Sequence, residues 1–120
     1  MRIFWAGLLA ALPLLAHHSI SGDYFMDQRT TVEGEVVQFQ YRNPHSFVEI
    51  KTASSVVYSA EWNGAGRLGR NNINADTLKP GDHIVITGQP GRNADEHRMH
   101  VLKMERPADG WNWNRTQQKY

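Results

Sequence analysis

Two textures of hydrophobic and polar residues divide the chain. Ile3 to Leu15 is almost wholly apolar, without the three-to-four-residue spacing of an amphipathic helix. From Thr30 onward apolar residues recur every second position, the period of half-buried strands. The stretch "TTVEGEVVQFQYR" alternates and then slips phase: Val32 and Val36 share one face, while Val37, Phe39 and Tyr41 share the other. A slip within one long strand predicts a bulge or strong bend, and Gly34 is the expected place for it. "SFVEIK" predicts a second strand, and "SSVVYSAEW" a third with Val56, Tyr58, Ala60 and Trp62 in phase. "HIVITG" predicts a fourth with Ile84 and Ile86 inward, and "RMHVLKMER" a fifth with His100, Leu102 and Met104 in one phase.

The connections carry their own signals. Asn43-Pro44-His45 predicts a turn between the first two strands. Pro80-Gly81 within "LKPGD" matches a type II turn, with proline presetting the first central residue and glycine supplying positive φ at the second. "NGAGRLGRNNI" is glycine-rich and predicts a short helix or turn. "QPGRNADEH" predicts a loop, and residues 107–120 form a polar tail carrying Trp111 and Trp113, which either folds back or meets a partner. Five strands with a short connector between the third and fourth predict an all-β fold, a small five-stranded OB-like barrel. A small open sandwich is the alternative.

The apolar start reads as a secretory signal. Arg2 provides the positive charge, the greasy run is too short to span a bilayer, and Leu14-Leu15-Ala16 places a small residue at a cleavage position. An uncleaved anchor is the alternative. The expected organisation is a signal peptide over 1–16, an N-terminal segment over 17–29, the barrel over 30–106 and the tail over 107–120. The expected location is periplasmic or secreted, with no membrane attachment after cleavage. Removing sixteen residues from 120 leaves 104, and losing Arg2 leaves twelve basic against twelve acidic residues. A neutral balance argues against nucleic acid as partner. The lack of cysteine excludes disulfides, thiolate ligands and thiol catalysis.

These residues resemble a bacterial exported family of unknown function, domain of unknown function 6152. The resemblance rests on His17-His18-Ser19 after the apolar run, Asn43-Pro44-His45, Trp62, and Lys79-Pro80-Gly81-Asp82, and runs from about His17 to Arg106. The family's turn between the second and third strands is usually longer than "TASSVV". The resemblance implies export and a small β domain, but no activity.

The candidate chemistry lies in six histidines. Cleavage after Ala16 would make His17 the N-terminus, where its amine and ring nitrogen can chelate one metal together. Free amines have a pKa near 7.7–8.0, so a metal can displace the proton at neutral pH. A third nitrogen would complete a site suited to copper. The candidate metal ligands are His17, His18 and His45; the plain alternative for His45 is a turn histidine bonded to backbone. Candidate ligand-binding residues are Asn43, Tyr58, Trp62 and His97, with Tyr58 and Trp62 in an aromatic face alongside Tyr41 and Phe47 and with His97 near Asp95 and Glu96. His100 is expected to be partly buried and hydrogen-bonded, and His83 to lie on the surface. Glu33, Glu35, Glu49 and Glu61 are expected as surface charges on strands. No nucleophile motif is present, and "GAGRLG" lacks the strand–helix setting of a dinucleotide fingerprint. The expected function is a non-enzymatic module binding a metal ion or small molecule; the alternative is an accessory domain docking an envelope protein through aromatic side chains.

Overall fold

A computed structural model describes residues 20–120; the expected signal peptide over 1–16, His17 and His18 lie outside the described residues. The elements are α1 (Ile20–Asp23), β1 (Thr30–Gln40), β2 (His45–Lys51), β3 (Val57–Asn63), α2 (Ala65–Arg70), β4 (His83–Pro90), β5 (Arg98–Arg106) and β6 (Trp111–Asn114). The sheet order is β3-β2-β1-β4-β5-β6, and an additional β3–β5 pairing closes the first five strands into a barrel. The predicted five-stranded barrel, with a short helix between strands 3 and 4, is therefore the fold.

Strand β1 serves both halves of the barrel. Thr30 to Glu35 pair with β4, and Glu35 to Gln40 pair with β2. Gly34 stands where this handover occurs. A Cβ there would run into the Lys51 carbonyl, so only glycine admits the approach of β2. The bulge itself lies three residues on. Val36 opposes Ile50 and Gln38 opposes Glu49, which leaves Val37 as the extra residue. The expected bulge at Gly34 is thus corrected: the slip occurs at Val37, which is exposed, and it returns Phe39 to the side of Val36, where it packs on the core.

A second bulge corrects the fifth strand. Thr87 pairs with Lys103 and Gly88 with Val101, so Leu102 is the added residue. Met99 and Val101 point inward before it and Met104 after it; His100 lies on the outer face. In β2 and β3 the period of two holds without a break, and Ser46, Val48 and Ile50 face Trp62, Ala60 and Tyr58. The Pro80-Gly81 turn forms as expected, with Gly81 at φ 91° and Asp82 N–H donating to the Lys79 carbonyl at 3.0 Å.

One end of the barrel is plugged by the segment after β3. Leu68 of α2, Ile73 and Leu78 are fully buried in the core. The Tyr41 hydroxyl ties the plug down, lying 2.9 Å from the Ala65 carbonyl and 3.0 Å from that of Ile73. The other closure comes from the C-terminus. Residues 107–120 turn back, and β6 pairs with Lys103 to Arg106 of β5. Trp113 enters the core, with its ring centroid 5.3 Å from that of Trp62. Trp111 lies 6.4 Å from Trp62, beneath the Arg106 guanidinium.

Since Trp113 is 6% exposed, its truncation removes a buried aromatic from a packed layer. Trp113→Ala should lower unfolding free energy by about 3–5 kcal/mol in denaturant melts. A loss below about 1 kcal/mol would place the C-terminal strand outside the cooperative unit.

Candidate functional site

The site follows from where β3 and β5 part. These parallel strands pair only from Ser59/Arg98 to Glu61/His100. Beyond that point Trp62 and Val101 diverge, and β6 takes the edge of β5. A cavity of about 290 Å³ opens in the gap, and Trp62, Val101 and Trp113 wall it. His45 and His100 line it from the outer face, Arg67 and Arg115 from α2 and the C-terminal segment, and Ile20 and Met26 from the N-terminal segment. Asn63 and Gln118 also line it, joined by a hydrogen bond of 2.6 Å.

Period-two alternation in β3 sets the outer wall. Trp62 points into the barrel, so Glu61 points out, between Phe47 of β2 and His100 of β5. Glu61 was expected at the surface, but it is 9% exposed. The correction has a long-range cause, because the N-terminal segment lies across this face. Tyr24 is fully buried, Phe25 N–H donates to the Pro90 carbonyl at 2.9 Å, and Arg92 N–H donates to the Asp23 carbonyl at 2.9 Å. Burial and the neighbouring Glu61 carboxylate push the Tyr24 phenol pKa well up, so the hydroxyl stays neutral. It accepts from Arg98 Nη2 at 3.1 Å. Glu61 Oε2 has no hydrogen-bond partner, and Oε1 lies 3.8 Å from His45 Nδ1.

The hydrogen-bond network fixes the His100 tautomer. The Gln89 amide donates through Nε2 to the Met26 carbonyl at 3.2 Å, which turns its Oε1 towards His100. Oε1 can only accept, so His100 Nδ1 carries the proton and donates at 2.7 Å. Nε2 is then the free acceptor of a ring that lines the cavity. Burial, followed by the charge of Arg115, holds His100 below the usual histidine pKa, with Glu61 opposing in part. Neutral imidazole with one nitrogen anchored is the form that binds metals.

The remaining candidates separate. Asn43 accepts from Gly66 N–H at 3.1 Å and so anchors α2. It lines a recess of about 410 Å³ that shares His45, Asn63 and Arg67 with the cavity and adds Arg70. Trp62 is at the cavity. Tyr58 and His97 lie elsewhere, as an edge-to-face pair 5.3 Å apart on the β1–β3 side. The expected single aromatic face does not form, because Tyr41, Tyr58 and Trp62 pack against or in the core while Phe47 lies outside under Arg42. His83 is exposed and held by Glu33 at 2.6 Å beside a recess of about 450 Å³. His17 and His18 are outside the described residues. Among the described residues no three His, Asp or Glu side chains are placed to hold a metal ion, and no helix is long and apolar enough to cross a membrane.

Sequence reasoning missed Glu61, Arg67 and Arg115 as site residues. Their only signal was position: Glu61 adjoins Trp62, and Arg115 follows the Trp-Asn-Trp-Asn alternation.

The sequence model of a family of unknown function (DUF6152) matches residues 7–100, more than three quarters of the chain. The chain belongs to the DUF6152 family. The matched span takes in His17, His18, His45, Glu61, Arg67 and His100, whereas Trp113 and Arg115 lie beyond it. Among curated proteins, none matches the sequence.

The His100 environment has a pH consequence. A histidine whose folded pKa lies below its unfolded value binds fewer protons when folded, so its contribution to stability falls as pH drops below about 6.5. His100→Asn, which keeps a donor to Gln89, should show a smaller fall in Tm between about pH 7.5 and pH 5 than the unaltered chain. The measurement is made with a chelator present; parallel curves would contradict the buried, depressed His100.

Proposed function

We propose that this DUF6152 member is an exported, non-catalytic binding module whose ligand site is the cavity between β3, β5 and the C-terminal segment. In this reading the site binds copper through the amine and ring of His17, helped by His18, with His45 and His100 as further imidazole donors. The observation that carries it is the convergence of His45 and His100 on a cavity also lined by Ile20. Ile20 follows His17 by three residues, at most about 10 Å of extended chain. The described residues offer two imidazoles where a copper site wants three nitrogens or more. The N-terminal amine and ring would supply the rest. Glu61, 3.8 Å from the His45 ring, offers a buried negative charge close by.

The apolar run before His17 supports export, since a free amine at that residue requires removal of residues 1–16. The alternative, an envelope partner docking on the tail tryptophans, has less to stand on. Trp113 is buried and Trp111 packs against Trp62.

The test is a Cu(II) titration of the chain beginning at His17, followed by visible absorbance. Binding should weaken when a glycine precedes His17, and again in His45→Ala and His100→Ala. Each loss should reach at least the 10–100-fold that removing an outer-shell partner costs. Equal affinity with and without the leading glycine would rule out the amine as a ligand.

A further inference from the structure

The cavity's charged lining asks for an acceptor. Arg67 and Arg115 line it, Arg70 lines the adjoining recess, and no Asp or Glu lines either space. Elsewhere Arg106 pairs with Asp82 and Asp109, both at 2.9 Å, and Arg98 with Glu96 at 3.7 Å, while Arg92 is held by the Ser21 carbonyl and the Phe25 ring. Among the described residues, neither Arg67 nor Arg115 has an ion pair. Arg67 instead has its guanidinium carbon over the Tyr120 ring, 5.0 Å from its centroid.

The uncharged part of the lining sets the rest of the ligand. Trp62, Val101, Trp113, Ile20 and Met26 form apolar walls around the basic groups. The indole Nε1–H groups of Trp62 and Trp113 are buried without an acceptor. About 290 Å³ lies at the small end of the range for ligand pockets.

We propose that this cavity binds a small organic oxyanion, a carboxylate or phosphate monoester on an apolar body, with its acid group between Arg67 and Arg115 and its body against Trp62 and Trp113. This rests on the cavity being the ligand site but not on the metal. Guanidinium forks match both carboxylate and phosphate oxygens. An anion seated there also offsets the repulsion that two arginines would exert on a copper ion at His45 and His100.

The experiment uses the metal-free chain beginning at His17, with chelator, and follows the indole N–H signals of Trp62 and Trp113 by NMR. The probes are benzoate, phenyl phosphate, inorganic phosphate and benzyl alcohol. Benzoate or phenyl phosphate should shift both signals saturably, and Arg67→Gln or Arg115→Gln should weaken that binding by about tenfold or more without lowering Tm. Benzoate binding alone assigns a carboxylate site, and phenyl phosphate binding alone a phosphomonoester site. Inorganic phosphate binding as tightly as phenyl phosphate would overturn the organic part of the proposal. Benzyl alcohol binding as well as the anions, unchanged affinity in both arginine variants, or no shift with any probe would overturn it altogether. Histidine-dependent copper binding without any anion response would remove this inference and leave the metal reading standing. The reverse pattern would remove the metal and keep the cavity.

Discussion

Everything in this barrel turns on the short parallel seam between β3 and β5. The seam closes the sheet, yet it spans only three residue pairs. Its last residue, Glu61, and the next, Trp62, point to opposite faces because side chains alternate along a strand. Inward, Trp62 becomes the centre of the aromatic core, with Phe39, Trp111 and Trp113 within 6.4 Å of it. Outward, Glu61 becomes a carboxylate that must be covered. The same two residues therefore set the core, the buried charge and the wall of the cavity.

Covering Glu61 explains the N-terminal segment. A buried carboxylate needs partners, since an isolated one is far costlier to bury than a neutral polar group. Tyr24 supplies a neutral hydroxyl, and Arg98 approaches through that hydroxyl. The Tyr24–Gly91 bridge and the Phe25–Pro90 bond hold the segment against the loop after β4. Gln89 couples the two layers, bonding backbone of the segment on one side and His100 on the other. The tautomer of a candidate ligand is thus set by a strand and a segment that meet only in the folded chain.

The barrel was legible where period two ran unbroken. Val48 with Ile50, Ala60 with Trp62, and Ile84 with Ile86 all face inward, and Pro80-Gly81 turns as its chemistry requires. Phase was lost at Val37 and Leu102, because a bulge adds a residue without a local signature of its own. The slip from Val36 to Phe39 announced the first bulge. Glycine drew it to position 34, where the true demand was space beside the Lys51 carbonyl. His45 was singled out from its place after Asn43-Pro44, and it lines the cavity. His100 was legible only as a buried histidine, and Glu61 read as a surface charge, because the segment that covers both lies about forty or more residues earlier in sequence. Arg115 could be placed only once β6 had brought the C-terminus onto β5.

A cavity at a seam ties binding to stability. β3 and β5 separate beyond Glu61 and His100, and what holds them there is side-chain packing around Trp62 and Trp113 rather than a ladder of hydrogen bonds. A ligand that fills the gap adds contacts to both strands and to the C-terminal segment at once. Ligand that binds only the folded chain stabilises it by RT ln(1 + [L]/Kd), about 2.7 kcal/mol at a hundredfold excess over Kd. The arginines without ion pairs point the same way, because an anion between them would offset the like charge they bring to the cavity. On the proposed readings, metal at the histidines and anion at the arginines should favour each other, since the anion offsets the arginines' repulsion of the metal and the metal adds attraction for the anion, and that coupling is equal in both directions.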